Sequence, residues 1–245
     1  MTETRTAAKI GVLVPYTNTN LEPDMEMLRP PNTTVHFQRM GGYDVDEIPG
    51  SEQMAGLGAS DISHDLRMIA GVRPDIVLYG CTSATLTHGP AFDADLARQI
   101  KAQSGAQSLT AAGSLIAGIK TLGATRVGFS SPYVGEINTQ AVEFLSQNGI
   151  ETVRCADIGR ELGNYGQGEL TPDEVFDLAC QAAHPDAQAI VLSCTDMRAV
   201  EVIDRLEAHL GKPVVTSNQA MVFCMIQVLK LGRDAALPGR LFDHI

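Results

Sequence analysis

Two short stretches of the sequence share one design: residues 75–83 read DIVLYGCTS, and residues 189–196 read AIVLSCTD. In both stretches a run of apolar residues ends at a cysteine, and a threonine follows that cysteine. Apolar runs without alternation are typical of strands that are covered on both faces of a parallel sheet. The recurrence of the same unit in the second half of the chain indicates an internal duplication.

Further apolar runs lie outward from these two, and stretches with apolar residues at helical spacing separate them. The alternation of strands and helices predicts parallel βαβ units, so the fold class is α/β. A capping box at Thr171 to Glu174 predicts a helix start, and the spacing over residues 197–210 predicts one helix soon after the second cysteine. Strands are predicted at residues 9–15, 33–39, 75–80, 107–111, 126–131, 151–156, 188–193 and 212–217.

The eight predicted strands fall into two matching sets of four. The first strand of one set runs into Pro15-Tyr16, the first strand of the other runs into Pro132-Tyr133, and each third strand ends at the cysteine. No linker rich in Ser, Pro or Gly separates the sets. The sequence therefore predicts two pseudo-symmetric lobes, each a four-stranded parallel sheet flanked by helices, with a cleft between them.

The composition is that of an ordinary globular protein. Of the 245 residues 44% are hydrophobic, and 18 Lys and Arg against 29 Asp and Glu give a net charge of −11. That charge argues against nucleic acid and anionic membrane surfaces as partners. The N-terminal stretch has no apolar run long enough for a signal peptide or a membrane span. Because the five cysteines form no CxxC pair, we expect a cytoplasmic protein with free thiols.

The two repeated cysteines, Cys81 and Cys194, are the candidate catalytic residues. Ligands bind at the carboxyl ends of the strands in open parallel sheets, and each cysteine ends a strand in a different lobe. We expect a helix to begin after each cysteine and its positive end to lower the thiol pKa toward neutrality. Two thiols on opposite sides of a substrate can add to a double bond and deliver a proton. That chemistry needs neither a metal nor an organic cofactor.

Donors for a carboxylate are expected beside the two cysteines. Thr82, Ser83 and Thr195 lie at the predicted helix starts, where N–H groups and hydroxyls can bind an anion. Simple N-capping explains the same residues equally well. The loop at residues 159–168 (GRELGNYGQG) is the main irregular segment, and it is a candidate lid or wall over the cleft.

The remaining cysteines and the histidines are expected to be structural. Cys155, Cys180 and Cys224 are interpreted as side chains that fill space. The six histidines show no HxxxH or HExxH spacing, so no metal site is predicted, and His88 is the one that could modulate Cys81. The sequence contains neither a GxxxxGK[ST] phosphate loop nor a GxSxG elbow. A nucleotide or flavin binder of similar fold would leave the paired cysteines unexplained.

Motifs along most of the chain resemble those of one enzyme superfamily. They are GVLVPYTN (11–18), GCTSAT (80–85), SSPY (130–133), SCTD (193–196) and KPVVTSNQA (212–220). The chain resembles the Asp/Glu racemase superfamily, and within it the branch of maleate cis-trans isomerases and arylmalonate decarboxylases. The resemblance implies a cofactor-independent enzyme with the substrate between two lobes, and a homodimer or higher homo-oligomer.

The resemblance also implies a division of the chain into lobes. In this superfamily the helix after each fourth strand packs on the opposite lobe, which here would exchange residues near 112–123 and 218–232. The expected N-terminal lobe is then residues 1–112 together with 218–245, and the expected C-terminal lobe is residues 113–217.

Within the resemblance, Cys81 and Cys194 match the two catalytic cysteines of the isomerases and racemases. Asn18 resembles the asparagine of a VPSSN motif, Tyr133 the tyrosine of a TPY motif, and Asn164 an asparagine of the lid loop. These three would bind the substrate together with Thr82, Ser83 and Thr195.

Two departures from the isomerase pattern bear on the substrate pocket. Tyr16 replaces a smaller serine and is expected to bind substrate in a reshaped pocket, and residues 37–50 match the isomerases poorly. Arylmalonate decarboxylases have a glycine at the position of Cys81, which argues against a dedicated decarboxylase.

The preferred interpretation is an isomerase that converts maleate to fumarate, with Cys81 adding to the double bond as a thiolate and Cys194 transferring a proton. The alternatives are an amino-acid or hydantoin racemase that uses the same thiols, a decarboxylase of a substituted malonate, and a ligand-binding module without catalysis. The expected ligand is a small carboxylate.

Overall fold

The structure, a computed structural model, describes residues 7–41, 49–232 and 237–245, and part of the poorly matching stretch 37–50 lies outside these ranges. Within the described residues eight strands form, and no strand end differs from its predicted position by more than two residues. The strands are β1 (Ala8–Pro15), β2 (Thr33–Met40), β3 (Ile76–Tyr79), β4 (Gln107–Thr110), β5 (Arg126–Ser130), β6 (Glu151–Ala156), β7 (Ala189–Leu192) and β8 (Val214–Thr216).

The strands form two four-stranded sheets with the same order, β2-β1-β3-β4 and β6-β5-β7-β8. All the pairings are parallel. The central strands are buried along nearly their whole length, which explains their continuous apolar sequences. The predicted α/β class and the duplicated pair of sheets are confirmed.

Helices connect the strands and cover the sheets, and a helix begins at the predicted capping box. There the Thr171 side chain accepts a hydrogen bond from the backbone N–H of Glu174. The helices are α1 (Leu21–Met27), α2 (Ser51–Ala59), α3 (Ser63–Ala70), α4 (Thr82–Leu86), α5 (Pro90–Ser104), α6 (Ala111–Thr121), α7 (Gly135–Gln147), α8 (Pro172–Gln181), α9 (Ile203–Leu210) and α10 (Ser217–Leu229). No helix in these ranges is long and apolar enough to cross a membrane.

The single helix predicted over residues 197–210 is wrong. A turn follows Cys194, a 3-10 helix spans Val200–Val202, and α9 begins at Ile203. The turn is held by tertiary bonds: Thr195 Oγ1 donates to the carbonyl oxygen of Gly80, and the carboxylate of Asp196 accepts from the N–H of Thr19. These bonds tie the turn to the other half of the molecule, so α-helical geometry begins only later in the chain.

The two sheets are joined by the helices that follow their last strands. Helix α6, which follows β4, contacts both β4 and β8. Helix α10, which follows β8, contacts β3, β4 and β8, and the two helices pack on each other. Gly118 allows α6 to lie this close to β8 and α10, because a Cβ at this position would lie 3.1 Å from Val215 and 3.3 Å from Ala220. The exchange of helices between the lobes stays a prediction.

The lobe boundaries, residues 1–112 with 218–245 and residues 113–217, stay a prediction. One contact favours a different place for the last residues: the backbone N–H of Arg240 donates to the Glu207 carboxylate on α9 at 3.1 Å. The 3-10 helix Arg240–His244 also contacts β8 and α6. The terminal segment therefore packs on the side of the second sheet.

Close packing between β5 and α8 gives the first testable prediction. A Cβ at Gly128 would overlap the backbone carbonyl of Ala182, whereas a Cβ at Gly135 would meet nothing within 4 Å. We expect Gly128→Ala to lower the free energy of unfolding by about 2 kcal/mol, and the control Gly135→Ala to leave it equal or slightly higher. Urea unfolding measures both, and equal stability of the two variants would contradict the packing described.

Candidate active site

A cavity lies at the carboxyl ends of the strands, between the two sheets. Segments that follow β1, β3, β5 and β7 line it, together with α2 and the loop at residues 159–168. Both halves of the duplication contribute, as the arrangement of parallel strands predicts. The lining residues are Pro15, Thr17, Asn18, Pro49, Met54, Leu57, Cys81, Thr82, Ser83, Tyr133, Asn164, Gln167, Cys194, Thr195 and Asp196.

Cys81 lies at the end of β3 and forms the N-cap position of α4. Its side chain is 6% exposed, and its Sγ lies 3.7 Å from Ser83 Oγ, within hydrogen-bonding distance for sulfur. Ser83 Oγ also donates to the Met54 sulfur on α2. The Cys81 thiol thus lines the cavity from the side of the first sheet.

Cys194 occupies the matching position after β7 and is 5% exposed. Its Sγ accepts a hydrogen bond from the backbone N–H of Asp196 at 3.3 Å and donates one to Gln167 Oε1 at 3.4 Å. A protonated thiol is required for the second of these bonds. Cys194 therefore has the surroundings of a proton donor.

The pKa of neither thiol is lowered, contrary to the sequence-based expectation. Burial raises the pKa of Cys81, and burial together with the negative charge of Asp196 raises the pKa of Cys194 well above its ordinary value. Helix α4 has only five residues, and no helix begins directly after Cys194. No Lys, Arg or His lines the cavity in the described part of the chain, so burial dominates.

The structure brings six of the predicted binding residues to the cavity but leaves one outside it. The six that line the cavity are Asn18, Thr82, Ser83, Tyr133, Asn164 and Thr195. Tyr16 does not line it; its side chain is half-buried, and its backbone N–H donates to Met40 in β2. The neighbouring Thr17 lines the cavity in its place.

Hydrogen bonds between the halves fix several of these residues. Asn18 Nδ2 donates to Thr195 Oγ1 at 3.1 Å, while Asn18 Oδ1 accepts from the backbone N–H groups of Asn20 and Leu21. Thr82 Oγ1 donates to Ser217 Oγ at 2.9 Å, at the start of α10. These polar groups are ordered by the protein itself, which reduces the entropy lost when a ligand binds.

Tyr133 lines the cavity with a buried side chain, and its hydroxyl lies beside Ser193, Thr82 and Cys194. Burial raises the pKa of this phenol well above its usual range. The hydroxyl therefore stays protonated and is a donor for a ligand in the cavity.

This geometry matches the comparisons with known proteins. A family model described as arylmalonate decarboxylase matches residues 10–242, nearly the whole chain. The chain belongs to the arylmalonate decarboxylase family. Its relatives include maleate isomerases and an arylmalonate decarboxylase, which are enzymes with two different activities. This family member is also an enzyme.

Relatives of this family member include a maleate isomerase from Geobacillus stearothermophilus, 28% identical over 241 residues that cover 91% of this chain and 92% of the relative. An arylmalonate decarboxylase from Bordetella bronchiseptica is 30% identical over 167 residues, which cover 66% of this chain and 69% of that one. The crystal structure of a Cys-to-Ala variant of the Pseudomonas putida S16 maleate isomerase with maleate shares the fold. Its TM-score is 0.88 at 22% identity, and the match covers 98% of both chains.

Two polar residues of the site were missed in the sequence analysis, Asp196 and Gln167. Asp196 follows Cys194-Thr195 directly, and Gln167 lies in the loop at residues 159–168 that was predicted to be a lid or wall. The end of this loop is anchored to the first half of the chain, because Asn20 Nδ2 donates to the Gly168 carbonyl at 3.0 Å. A cysteine followed by two polar residues was the available signal for Asp196.

The other cysteines lie outside the cavity, and one prediction about them is wrong. Cys224 is buried, and Cys180 is half-buried, but Cys155 is exposed on strand β6 and does not fill internal space. His88 does not line the cavity; its Nε2 lies 2.8 Å from the carbonyl oxygen of Ala55, and its ring stacks on Phe92. No group of three metal-ligating side chains occurs in the described part of the chain.

A buried carboxyl, Asp24, supports the turn that carries Cys194. Asn218 Nδ2 donates to Asp24 Oδ2 at 2.7 Å and to the backbone carbonyl of Thr195 at 3.1 Å. Burial raises the pKa of Asp24 to about 7, although the Asn218 bond opposes the rise. The Asp24–Asn218 pair thereby links α1 and α10 to the turn that carries Cys194.

The burial of Cys81 and Cys194 predicts slow alkylation of these two active-site cysteines. At pH 8 we expect iodoacetamide to modify Cys81 and Cys194 at least about tenfold more slowly than the exposed Cys155. Mass spectrometry of peptides from a time course measures the rates, and all cysteines should react alike in denaturing urea. Alkylation of Cys194 as fast as that of Cys155 would show that the thiol is not protected as described.

The raised pKa of Asp24 predicts how the free energy of unfolding changes with pH. A carboxyl with a raised pKa in the folded state favours folding at low pH, and this contribution is lost as the pH rises from about 4 to about 7. Between pH 5 and pH 8 the wild type should therefore lose about 2 kcal/mol more of its free energy of unfolding than Asp24→Asn.

Urea unfolding at the two pH values measures this difference, and Asp177→Asn, at an exposed position on α8, is the matched control. Parallel pH profiles for the wild type and Asp24→Asn would contradict the raised pKa of Asp24.

Proposed function

We propose that this member of the arylmalonate decarboxylase family is a cofactor-independent cis-trans isomerase that converts maleate to fumarate. The observation that carries the proposal is the pair of buried thiols, Cys81 and Cys194, which line one cavity from opposite halves of the chain. Among structures that share the fold, a Cys-to-Ser variant of the Nocardia farcinica maleate isomerase contains a covalently bound succinylcysteine intermediate. That intermediate has the chemistry expected of a thiol added to maleate.

The reaction begins when the Cys81 thiol loses its proton to solvent and the resulting thiolate adds to one alkene carbon of maleate. The new S–C bond forms as the π bond breaks, and the electron pair moves to the neighbouring carbon, where the adjacent carboxylate delocalises it. That carbon takes the proton of the Cys194 thiol. The result is a succinyl thioether on Cys81 with a single bond between the two central carbons.

Rotation about that single bond precedes the reverse steps. The Cys194 thiolate removes a proton from the carbon that received one, the double bond forms again, and the Cys81 thiolate leaves. Fumarate is released, and both thiols return to their starting states. Each step moves one proton and one electron pair, so no oxidant or reductant takes part.

The environments of the two thiols support the division of roles. Burial raises the pKa of both thiols, the charge of the adjacent Asp196 adds to the rise at Cys194, and the Cys194 thiol donates to Gln167 Oε1. Cys194 is therefore held in the protonated form, whereas hydrogen bonds from the backbone N–H groups of Ser83 and Ala84 favour the ionised form of Cys81, as a nucleophile requires.

The substrate carboxylates would be bound by neutral donors. The cavity is lined by no Lys, Arg or His within the described residues. The protonated hydroxyl of Tyr133, which lines the cavity, is one such donor. The others that we assign to carboxylate binding are Asn18, Thr82, Ser83, Asn164 and Thr195. The expected homodimer stays a prediction.

A second candidate function, 1,1-proton transfer in an amino acid or hydantoin, is favoured by Asp196. Its carboxylate lines the cavity next to Cys194 and could accept a hydrogen bond from an ammonium or amide group of such a substrate. Deuterium exchange at the α carbon of an amino acid in D₂O, without change in the vinyl protons of maleate, would favour racemisation over isomerisation.

Replacement of either active-site cysteine tests the proposal. Following the vinyl proton signals by NMR, we expect Cys81→Ser and Cys194→Ser each to lower the rate of fumarate formation at least about 100-fold. The reason is that a serine hydroxyl is a much weaker acid than a thiol and a poor nucleophile at neutral pH. Cys155→Ser, an exposed cysteine outside the cavity, is the matched control and should keep wild-type turnover. Wild-type turnover in either active-site variant would refute the two-thiol mechanism.

A further inference from the structure

Asp196 is the one charged residue among those that line the cavity in the described part of the chain. It is 8% exposed and follows Cys194 by two positions. A negative charge is unexpected in a pocket that receives an anion, because burial in a low dielectric strengthens repulsion between like charges. The position of this carboxylate therefore bears on which substrates the cavity accepts.

The two oxygens of the Asp196 carboxylate have different surroundings. Oδ1 accepts hydrogen bonds from the backbone N–H of Thr19 at 2.8 Å, the backbone N–H of Asn20 at 3.0 Å and Asn20 Nδ2 at 3.1 Å. Oδ2 accepts no hydrogen bond from the described residues, although the side chain lines the cavity. One oxygen thus joins the two halves of the protein, and the other keeps its acceptor capacity.

The donors on Oδ1 also indicate the charge state. Three N–H groups directed at one oxygen favour the ionised carboxylate and partly offset the effect of burial, which raises the pKa of Asp196. The negative charge acts on both thiols, because it raises the pKa of Cys194 and of Cys81. A doubly charged substrate would add to this effect, whereas a substrate N–H group facing Asp196 would counter it.

We propose that Asp196 is a specificity-determining residue that selects derivatives of cis-butenedioic acid in which a group with an N–H donor replaces one carboxylate. The substrate class is then the monoamides, with maleamate as the simplest member and the maleate dianion as the poorer substrate. An N–H group of the amide donates to Oδ2, and the remaining carboxylate binds the neutral donors of the cavity. This inference rests on the proposed cis-trans isomerase function.

Three substrates separate the effect of charge from that of the donor. Maleamate and monomethyl maleate are both monoanions, but only maleamate has N–H groups at the modified end, and maleate is the dianion at pH 8. With the wild-type enzyme at pH 8 and NMR detection of the vinyl protons, we expect kcat/KM to be at least about tenfold higher for maleamate than for the ester. We expect the value for maleate to be below that for maleamate.

Asp196→Asn is the matched variant. An asparagine Oδ1 can still accept from Thr19 and Asn20, so the bond between the two halves is kept, while the charge is removed and an NH₂ group replaces Oδ2. We expect the preference for maleamate over the ester to fall to about threefold or less and kcat/KM for maleate to rise. A role of Asp196 in folding alone would lower turnover of all three substrates equally.

The outcomes distinguish this inference from the proposed function. If the wild type isomerises maleate but treats the amide and the ester alike, or if Asp196→Asn keeps the wild-type preference, the inference is wrong and the isomerase function stands. If the wild type isomerises none of the three, both are wrong. If Asp196→Asn does not fold, as a thermal melt would show, the wild-type comparison of amide and ester decides the question alone.

Discussion

The ends of β3 and β7 meet at the centre of the molecule, where Thr195 Oγ1 donates to the Gly80 carbonyl at 2.9 Å and accepts from Asn18 Nδ2 at 3.1 Å. These bonds connect the residues next to Cys81 and Cys194 across the two sheets. Because the partners are buried, leaving one unpaired would cost about 1–3 kcal/mol. The relative position of the two thiols therefore depends on this contact, and the packing of α6 on α10 supports it from behind.

A second constraint is electrostatic. The described lining of the cavity holds two neutral thiols, neutral donors and one carboxylate, Asp196, so the free protein has no cationic group there to stabilise a thiolate. Reactivity must then come from the arrangement of thiol, donor and substrate rather than from a thiolate that is present beforehand. The protonated state of Cys194 suits the delivery of a proton.

Much of the fold was predictable because buried parallel strands and a duplicated order leave a local signature in the sequence. Cys81 and Cys194 could be found for the same reason, since each ends the third strand of its half. The turn at Thr195 and the contact of Asp196 with Asn20 could not, because these bonds join residues far apart in the chain and override local helical spacing. The thiol pKa values depend on burial, which the residues next to each cysteine do not reveal.

The claim that two thiols act on one substrate is tested most directly by trapping the covalent intermediate. In Cys194→Ser, mixed with maleate and quenched in acid, the reverse elimination is slowed because serine is a poor proton acceptor. Peptide mass spectrometry should then find the mass of one added maleic acid on Cys81 and on no other cysteine. An unmodified Cys81 while fumarate is being formed, or the adduct on a different cysteine, would contradict the account.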